Sequence, residues 1–576
     1  MIFKPLQKIV RATFLFPFPM TNKEISALLR QTASLLDLHD QNPEKARLYQ
    51  STVFGLEKLG ISVLSLEPKE WTRNGFAAAA SKILQEIKDT QTLAELHQLL
   101  EKTPEGLLDI MQLKGLGAKK VRQLWTELRI ETLDQLKEAA ISGKIAKTKG
   151  FGEKTQENIL QEIAFLEANS LKKRYADAEK YAFWLEEYLQ KSPIIQKISL
   201  SGQIRRKLEV IDQIEIVLAC QNTAPVFDFL KNTDELETDL AQSSPFVWRG
   251  AFAENHFPVE IKMVSEQNFV SKLFENSADE KHFQKNLLQI ARSKSFENEQ
   301  QIYEAAHLAY IEPELREGLF EFDLPENFEL IQEKYLKGVL HCHSTYSDGK
   351  HSLEEMALAA KNLGYDYLGI SDHSESAFYA NGLNADRIRK QHSEIDELNK
   401  KLAPFKILKG IESDILADGS LDYENSILAS FDFIVASVHS NLKMDISTAT
   451  DRLLKAIANP YTTILGHPTG RLLLKREGYP IDYEAVINAC ANYGVVIEIN
   501  ANPKRLDLDW RWVNFAIRQG VKISINPDAH AIEGYQDTRF GVLVARKAAL
   551  QKKDTFNAFG LPQMIDYLEN RKKSIG

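Results

Sequence analysis

Eight of the 13 histidines in this 576-residue chain lie after residue 340, and most fall at the ends of short apolar runs. His341 and His343 close KGVLHCHS, Asp372 and His373 close YLGISDHS, and Glu412 closes FKILKGIES. His439 closes FIVASVHS, His467 closes TTILGHP, and Asp528 and His530 close VKISINPDAH. Alternate residues of a strand point to one side, so His341 and His343 can grip one ion. One such histidine is ordinarily a packed or solvated side chain; six strand ends that each deliver an ionisable group point to a metal centre. A His, Asp and Glu set without thiolate suits Zn, Mn or Fe. Cys342 points away from its neighbours and is expected to pack. Cations held close together lower the pKa of bound water and clamp phosphoryl oxygens, so the expected chemistry is phosphoester hydrolysis. Arg471 and Arg505 lie just past such strand ends, where a guanidinium can hold a phosphate in its fork.

The runs that carry these groups alternate with amphipathic helices, as in an α/β barrel, whose strand ends converge on one face. Upstream, residues 20–170 read as almost all helical, with apolar steps of three and four. Two segments there, LKGLGAKK and TKGFGEKT, put Gly115 and Gly117, then Gly150 and Gly152, before a lysine-bearing helix start (Lys119, Lys120, Lys154). Such glycines permit a tight turn, and the N–H groups that follow can bind a DNA phosphate. RNGFAAAASKIL is a weaker copy without the second glycine. Strand character is expected from about 180 to 265, helix from 266 to 320, and an acidic linker at 321–335. Residues 1–19 read as a leader or a misassigned start.

Composition narrows the class. The chain is 44% hydrophobic and 26% charged, which excludes wholesale disorder, and no apolar run is long enough to span a bilayer. Three scattered cysteines exclude a disulfide framework and favour a reducing, cytoplasmic setting. A net charge of −9 excludes a uniformly basic DNA-coating protein but not a local basic surface.

The C-terminal motifs closely resemble the PHP (polymerase and histidinol phosphatase) family over residues 336–560. The resemblance implies a distorted (β/α)7 barrel with up to three divalent ions. It places His341, His343, Glu412 and Asp528 on one ion. Glu412 would bridge to a second, also held by His439 and His467. Asp348, His373 and His530 would hold the third, with Asp372 in support. The glycine segments resemble helix-hairpin-helix elements, and SGQIRRKLEVIDQIEIV resembles the palm motif of family X DNA polymerases. In that palm Ser201, Gly202, Arg205, Arg206 and Glu209 fit, whereas Gln213, Glu215 and Glu260 occupy the positions of metal-binding aspartates. Gln213 is neutral, and the family's nucleotide-binding stretch is not evident. IEPELREG and NPKRLDL resemble segments of polymerase-associated members. Bacterial family X polymerases with a C-terminal PHP domain match the chain from about residue 20.

The resemblance implies a multidomain α+β and α/β protein. Residues 20–100 would be a lyase-like helical domain, 101–175 a fingers-like helix-hairpin-helix region, 176–320 a degenerate palm and thumb, and 336–576 the PHP metallohydrolase. Lys82 lies where related repair polymerases carry a lyase lysine and reads here as a surface lysine. Arg205 and Arg206 are open to a structural or a phosphate-holding role. The expected activity is 3′–5′ exonuclease action in DNA repair by a chain that binds DNA, favours a monomer and uses Mg only if its polymerase site works. An active polymerase with PHP proofreading, a DNA-binding scaffold and a small-molecule phosphatase are the other readings.

Overall fold

The computed structural model describes residues 20, 22–59, 62–325 and 328–573. The reading of residues 1–19 as a leader falls outside these residues. The chain divides into two compact units, 1–170 and 171–576.

The first unit is helical, as its periodicity predicts, and buries one apolar cluster that includes Leu29, Trp71, Leu124 and Ile163. Gly117 and Gly152 stand at the N-caps of helices Ala118–Leu128 and Glu153–Asn169. Gly115 and Gly150 take positive φ (89° and 86°), which turns the chain sharply before each helix. The residue between each glycine pair, Leu116 or Phe151, is buried, while the glycines are exposed. The two loops adjoin: Gln123 Nε2 donates to the Lys149 carbonyl at 2.8 Å, and Lys120 lies over the Phe151 ring. Lys82 is exposed on helix Ala78–Thr90.

The second unit holds two large sheets and a two-stranded ribbon that pairs Lys173–Arg174 with Val210–Ile211. Its first sheet comprises β1 (Lys197–Ser201), β2 (Ile214–Ala219), β3 (Leu236–Thr238), β4 (Val247–Phe252) and β5 (Pro258–Val264), in the order β1-β2-β5-β4-β3. Strand structure in this sheet starts later than the sequence suggests, because Tyr175–Gln190 forms a helix that buries Ala178, Ala182 and Leu185 against it. β2 and β5 are parallel and pair Glu215 directly with Glu260. Gly202, at φ 61°, packs so tightly that a Cβ there would stand 1.6 Å from Glu215 Oε2.

Seven parallel strands follow: β6 (Gly338–Val339), β7 (Tyr367–Ile370), β8 (Lys406–Asp414), β9 (Phe433–Ser437), β10 (Ile464–Leu465), β11 (Val496–Asn500) and β12 (Ile523–Asn526). They hydrogen-bond in sequence order, and a parallel bridge between Cys342 and Ala529 brings the two edges together. The strands are buried almost throughout, as expected where helices cover a parallel sheet. Cys342 is buried in the packing between β6 and its neighbours, as its position in H-C-H predicts.

The 321–335 segment is not a free tether, contrary to the expectation from its acidity. Leu330 and Ile331 are buried, Ile331 N–H bonds to the Leu550 carbonyl at 2.9 Å, and Glu321 is buried against His282 at 2.7 Å. Apolar residues spaced among the acids drive this packing. The preceding IEPELREG segment fastens the first sheet to the barrel. Arg316 is fully buried and pairs with Glu299, Glu314 pairs with Arg546, and Glu317 pairs with Arg206 and Lys547. Arg205 also pairs with Glu299, at 2.5 Å. Both palm-motif arginines are therefore engaged in structural ion pairs. Glu209 adds a bond from Trp510 Nε1 at 3.2 Å and a pair with Arg511 at 3.0 Å.

Lys547 is the most sensitive of these ties. Its ammonium is fully buried and touches the Arg206 and Glu314 carbonyls, Glu317 and the Trp510 ring. Lys547→Met should destabilise the 171–576 unit by about 3–5 kcal/mol, because Glu317 loses its buried partner. Hydrogen exchange of the β12 amides in denaturant measures this; a loss below about 1 kcal/mol would show that Arg206 alone suffices.

Candidate metal centre

Each metal-ligating candidate enters the barrel from the carboxyl side of a strand. His341 and His343 follow β6, His373 follows β7, and Glu412 sits near the end of β8. His439 lies beyond β9, His467 beyond β10, and Asp528 and His530 beyond β12. Asp348 arrives on the loop after His343. The structure brings all nine together. His341, His343 and Asp528 form one group, and His343, Asp348, His373 and His530 another. Glu412 joins His341 and His467 on one side, and His373 and His439 on the other. His341, His343 and His373 thus each border two groups rather than the one that the resemblance implies.

Glu412 is the shared member. Its Oε1 lies 2.9 Å from His467 Nε2 and 3.2 Å from both His341 Nε2 and His439 Nε2. Its Oε2 lies 3.0 Å from His373 Nδ1 and 3.7 Å from His343 Nε2. His343 Nε2 is 3.2 Å from Asp528 Oδ1, and Asp348 Oδ1 is 3.4 Å from His530 Nε2 and 3.6 Å from His373 Nε2. Ligands at 2.0–2.1 Å around a tetrahedral ion stand ~3.4 Å apart, so these spacings are those of a coordination shell. The buried His341 Nε2 and Glu412 Oε2 make no hydrogen bond despite this proximity. They face common space rather than each other, and so the residues present fit divalent cations.

Two ligand candidates sit in left-handed backbone, His467 at φ 22° and Asp528 at φ 53°. Such conformations cost on the order of 1–3 kcal/mol and persist where neighbours fix them. His467 N–H donates to Glu498 Oε2 at 2.9 Å, and Asp528 Oδ2 accepts from Asn500 Nδ2 at 3.1 Å.

Outer contacts aim the rings. His341 Nδ1 lies 2.8 Å from Glu498 Oε1, and His439 Nδ1 bonds Asp414. Glu498 also accepts from Asn526 Nδ2 at 3.0 Å. Sequence reasoning missed Glu498, Asp414, Asn500 and Asn526. Glu498 had a signal: it is the ionisable residue on VVIEIN, the strand to which no ligand was assigned. Asp372 supports the third group by way of the loop before Asp348. It accepts from Ser344 N (2.8 Å) and Oγ (2.7 Å) and from Ser347 N (3.2 Å). It therefore shapes the loop that carries Asp348.

The two arginines part company. Arg471 is committed to structure: Nε donates to the Arg505 carbonyl at 2.9 Å, and the guanidinium also bonds Asp509 and the Leu506 carbonyl. Its donors hold the 505–509 loop, so the expectation that it grips a phosphate is corrected. Arg505 Nε stands 3.7 Å from Asp528 Oδ2, at the edge of the ligand set.

In the first sheet of the second unit, Glu260 faces cations of its own chain. Arg249 Nε donates to its Oε2 at 2.7 Å, and Lys262 Nζ lies 2.9 Å from Oε1. Burial pushes the Glu260 carboxyl up, but these two bonded cations outweigh it and hold the group below its ordinary range. Glu215 is raised by burial against the weaker pull of Lys262. Gln213, just before β2, contributes no charge.

The PHP domain family matches residues 340–502. Over 571 residues the chain is 34% identical to the DNA polymerase/3'-5' exonuclease PolX of Bacillus subtilis, covering 96% of this chain and 100% of that one. The chain belongs to the family X DNA polymerases that carry a C-terminal PHP domain. Membership accounts for the seven-stranded barrel and implies divalent metal ions, which the barrel's His, Asp and Glu clusters could hold. A probable phosphatase of Thermoanaerobacter sp. is 29% identical over 247 residues, 41% of this chain and 96% of that one. A crystal structure of Leishmania infantum polymerase beta in a ternary complex covers 37% of this chain and 98% of its own, at 15% identity and a TM-score of 0.24. Among the described residues no helix is long and apolar enough to cross a membrane.

Electrostatics link this centre to pH. Burial lowers His341, His343, His439, His467 and His530, but carboxylates overcome it at three of them. Glu498, Glu412 and Asp528 hold His341 well above its ordinary value. Glu412 and Asp414 raise His439 to about 10, and Asp348 and Asp528 raise His530 to about 9. Burial with His530 and His373 pushes His343 down to about 3. At neutral pH the metal-free centre therefore carries protons on His341, His439 and His530 that a cation must displace. Metal binding should release on the order of three protons at pH 7, and affinity should rise with pH up to about 10. Calorimetric titration of chelator-treated protein in buffers of different ionisation enthalpy counts them. Binding without proton release would contradict protonation of these three rings.

Proposed function

We propose that this chain is a DNA-bound, metal-dependent phosphodiesterase that removes nucleotides from 3′ ends in DNA repair in the cytoplasm, and that its polymerase site is impaired. The convergence of nine ligand candidates in one centre, five of their histidines around the buried carboxylate of Glu412, carries the reading. The name of the B. subtilis relative supports the 3′–5′ polarity. Zn, Mn or Fe suits the nitrogen and oxygen donors, with up to three ions per site. Such ions lower the pKa of bound water and neutralise charge on phosphoryl oxygens. The protein's part is to fix the ligands through Glu498, Asp414 and Asn500 and to place Arg505 where it can orient a phosphate beside Asp528.

In this reading residues 20–100 and 101–175 hold DNA, 176–320 form the scaffold, and 336–576 hydrolyse. Gly115 and Gly150 shape the two adjoining loops, Gly117 and Gly152 leave the helix starts uncovered, and Lys119, Lys120 and Lys154 add charge. Nucleotidyl transfer needs carboxylates that face two Mg²⁺ ions. Gln213 is neutral there, and Glu260 is already paired with Arg249 and Lys262. Electrostatic stabilisation is usually the largest catalytic term, so losing it costs orders of magnitude in rate. The relative's name also favours an active polymerase, and the phosphatase relatives favour a small phosphomonoester.

A labelled primer–template with Mn²⁺, with and without nucleoside triphosphates, separates these readings. Shortening from the 3′ end is expected, with a loss on the order of a hundredfold or more in His341→Ala. The same variant, freed of degradation, should extend the primer at no useful rate. Extension at the rate of an ordinary repair polymerase, or hydrolysis confined to small phosphomonoesters, would overturn the proposal.

DNA affinity should come largely from the first unit, because phosphate contacts dominate binding. Full-length protein should bind more tightly than residues 171–576 and lose affinity more steeply with salt, by about 0.9 in log–log slope per phosphate contact on duplex. Anisotropy titrations at several salt concentrations measure both; equal slopes would refute the hairpin assignment.

A further inference from the structure

Phe378 and Tyr379 are 85% and 62% exposed, although large aromatic side chains ordinarily seek burial. Their rings meet edge to face at 6.0 Å on the short helical turn Phe378–Ala380. This turn is the tip of a loop, residues 374–383, that leaves the barrel at the metal-ligating candidate His373 and returns to it. Ser374 pairs with Leu383 across its base, and Leu383 N–H bonds the His373 carbonyl at 2.9 Å. Gly382 passes so close to Ser374 that a Cβ would stand 1.8 Å from its carbonyl oxygen.

The loop is fixed on both flanks to residues that place other ligands. On one side Ser376 Oγ donates to Asp414 Oδ2 at 3.0 Å, and Asp414 is the partner of His439. On the other, Asn381 Nδ2 donates to the Ser347 carbonyl at 3.2 Å, next to Asp348. Arg387 braces the return through the Gly382 carbonyl at 3.1 Å. The aromatic tip is thus held at the rim of the centre, and Asp414, Glu412, Asp348 and Arg505 lie within electrostatic reach of the Tyr379 hydroxyl. A rigid loop that spends its anchoring on holding two exposed rings beside a phosphoesterase centre has the form of a stacking surface.

We infer that Phe378 and Tyr379 form a stacking platform for the terminal base of a single-stranded 3′ end whose phosphodiester lies at the metal centre. The inference rests on the exonuclease reading above. Every base offers a π-face and lies one sugar away from its phosphate, so rings at the rim would grip any base without reading sequence. The occupant is a nucleobase rather than an apolar protein surface because the loop that carries the rings is anchored to residues of a centre suited to phosphate oxygens.

The test uses the full chain and two oligonucleotides, one ending in thymidine and one in a 3′-terminal abasic residue. Wild type should prefer the based end in kcat/KM, and Phe378→Ala/Tyr379→Ala should lower that preference roughly tenfold or more, mainly through KM. Phe378→Trp/Tyr379→Trp should restore it. A purely structural loop defect would slow both substrates alike and leave the ratio unmoved, which would overturn the platform. A second readout is independent of turnover: with chelator present, an oligonucleotide carrying 3′-terminal 5-iododeoxyuridine is photocrosslinked and the adduct mapped. An adduct on Phe378 or Tyr379 is expected. Adducts only elsewhere would refute the platform, even where 3′ hydrolysis is intact. Absent 3′ hydrolysis with the adduct at these residues would instead refute the exonuclease reading alone.

Discussion

A carboxylate buried at the centre of a barrel dominates this molecule. Glu412 lies within 4 Å of five histidine rings, and the removal of an uncompensated carboxylate from water costs several kcal/mol. The barrel can keep it only by surrounding it with positive charge, from histidine protons or from cations. That requirement explains why ligands come from strands far apart in sequence, why His467 and Asp528 hold left-handed backbone, and why Glu498 and Asp414 stand behind the rings. It also explains why the centre's protonation and its metal affinity are one equilibrium.

The first sheet of the second unit solves a similar problem differently. Glu215 and Glu260 sit side by side in register, an arrangement that is costly unless cations intervene. Here Arg249 and Lys262 intervene, two side chains of the same sheet. The barrel keeps its carboxylate open to exchangeable cations, whereas the sheet has supplied permanent ones.

Between them runs a chain of buried ion pairs: Arg205 and Arg316 on Glu299, Arg206 and Lys547 on Glu317, and Arg546 on Glu314. Each arginine presents a rigid fork to a carboxylate, so the pairs fix orientation as well as position. The residues of the palm motif that would elsewhere be free for phosphate are built into this joint. Retention of the motif in the sequence is thus compatible with a structural role.

Much was determined by the sequence itself. Strand-end spacing disclosed the barrel and eight of the nine ligand candidates, because a short strand forces its last side chains onto one face, whereas Asp348, on a loop, came only with the family resemblance. Gly-x-Gly with a buried middle residue disclosed the hairpins, because only glycine turns there without strain. The sheet's acidic positions were legible as residue types. Tertiary structure decided the rest. Arg471 and Arg505 look alike in sequence, but only the fold shows that one is spent on Asp509 and backbone carbonyls while the other reaches Asp528. The 321–335 segment reads as a tether, since its acids are local and the surfaces that bury Leu330 and Ile331 are remote. Glu498 acts through His341, 157 residues away, and Arg249 reaches Glu260 across a strand pairing, beside Lys262 of Glu260's own strand. A residue's type and spacing set what it can do; which partner consumes it depends on contacts between distant segments, which only the folded chain creates.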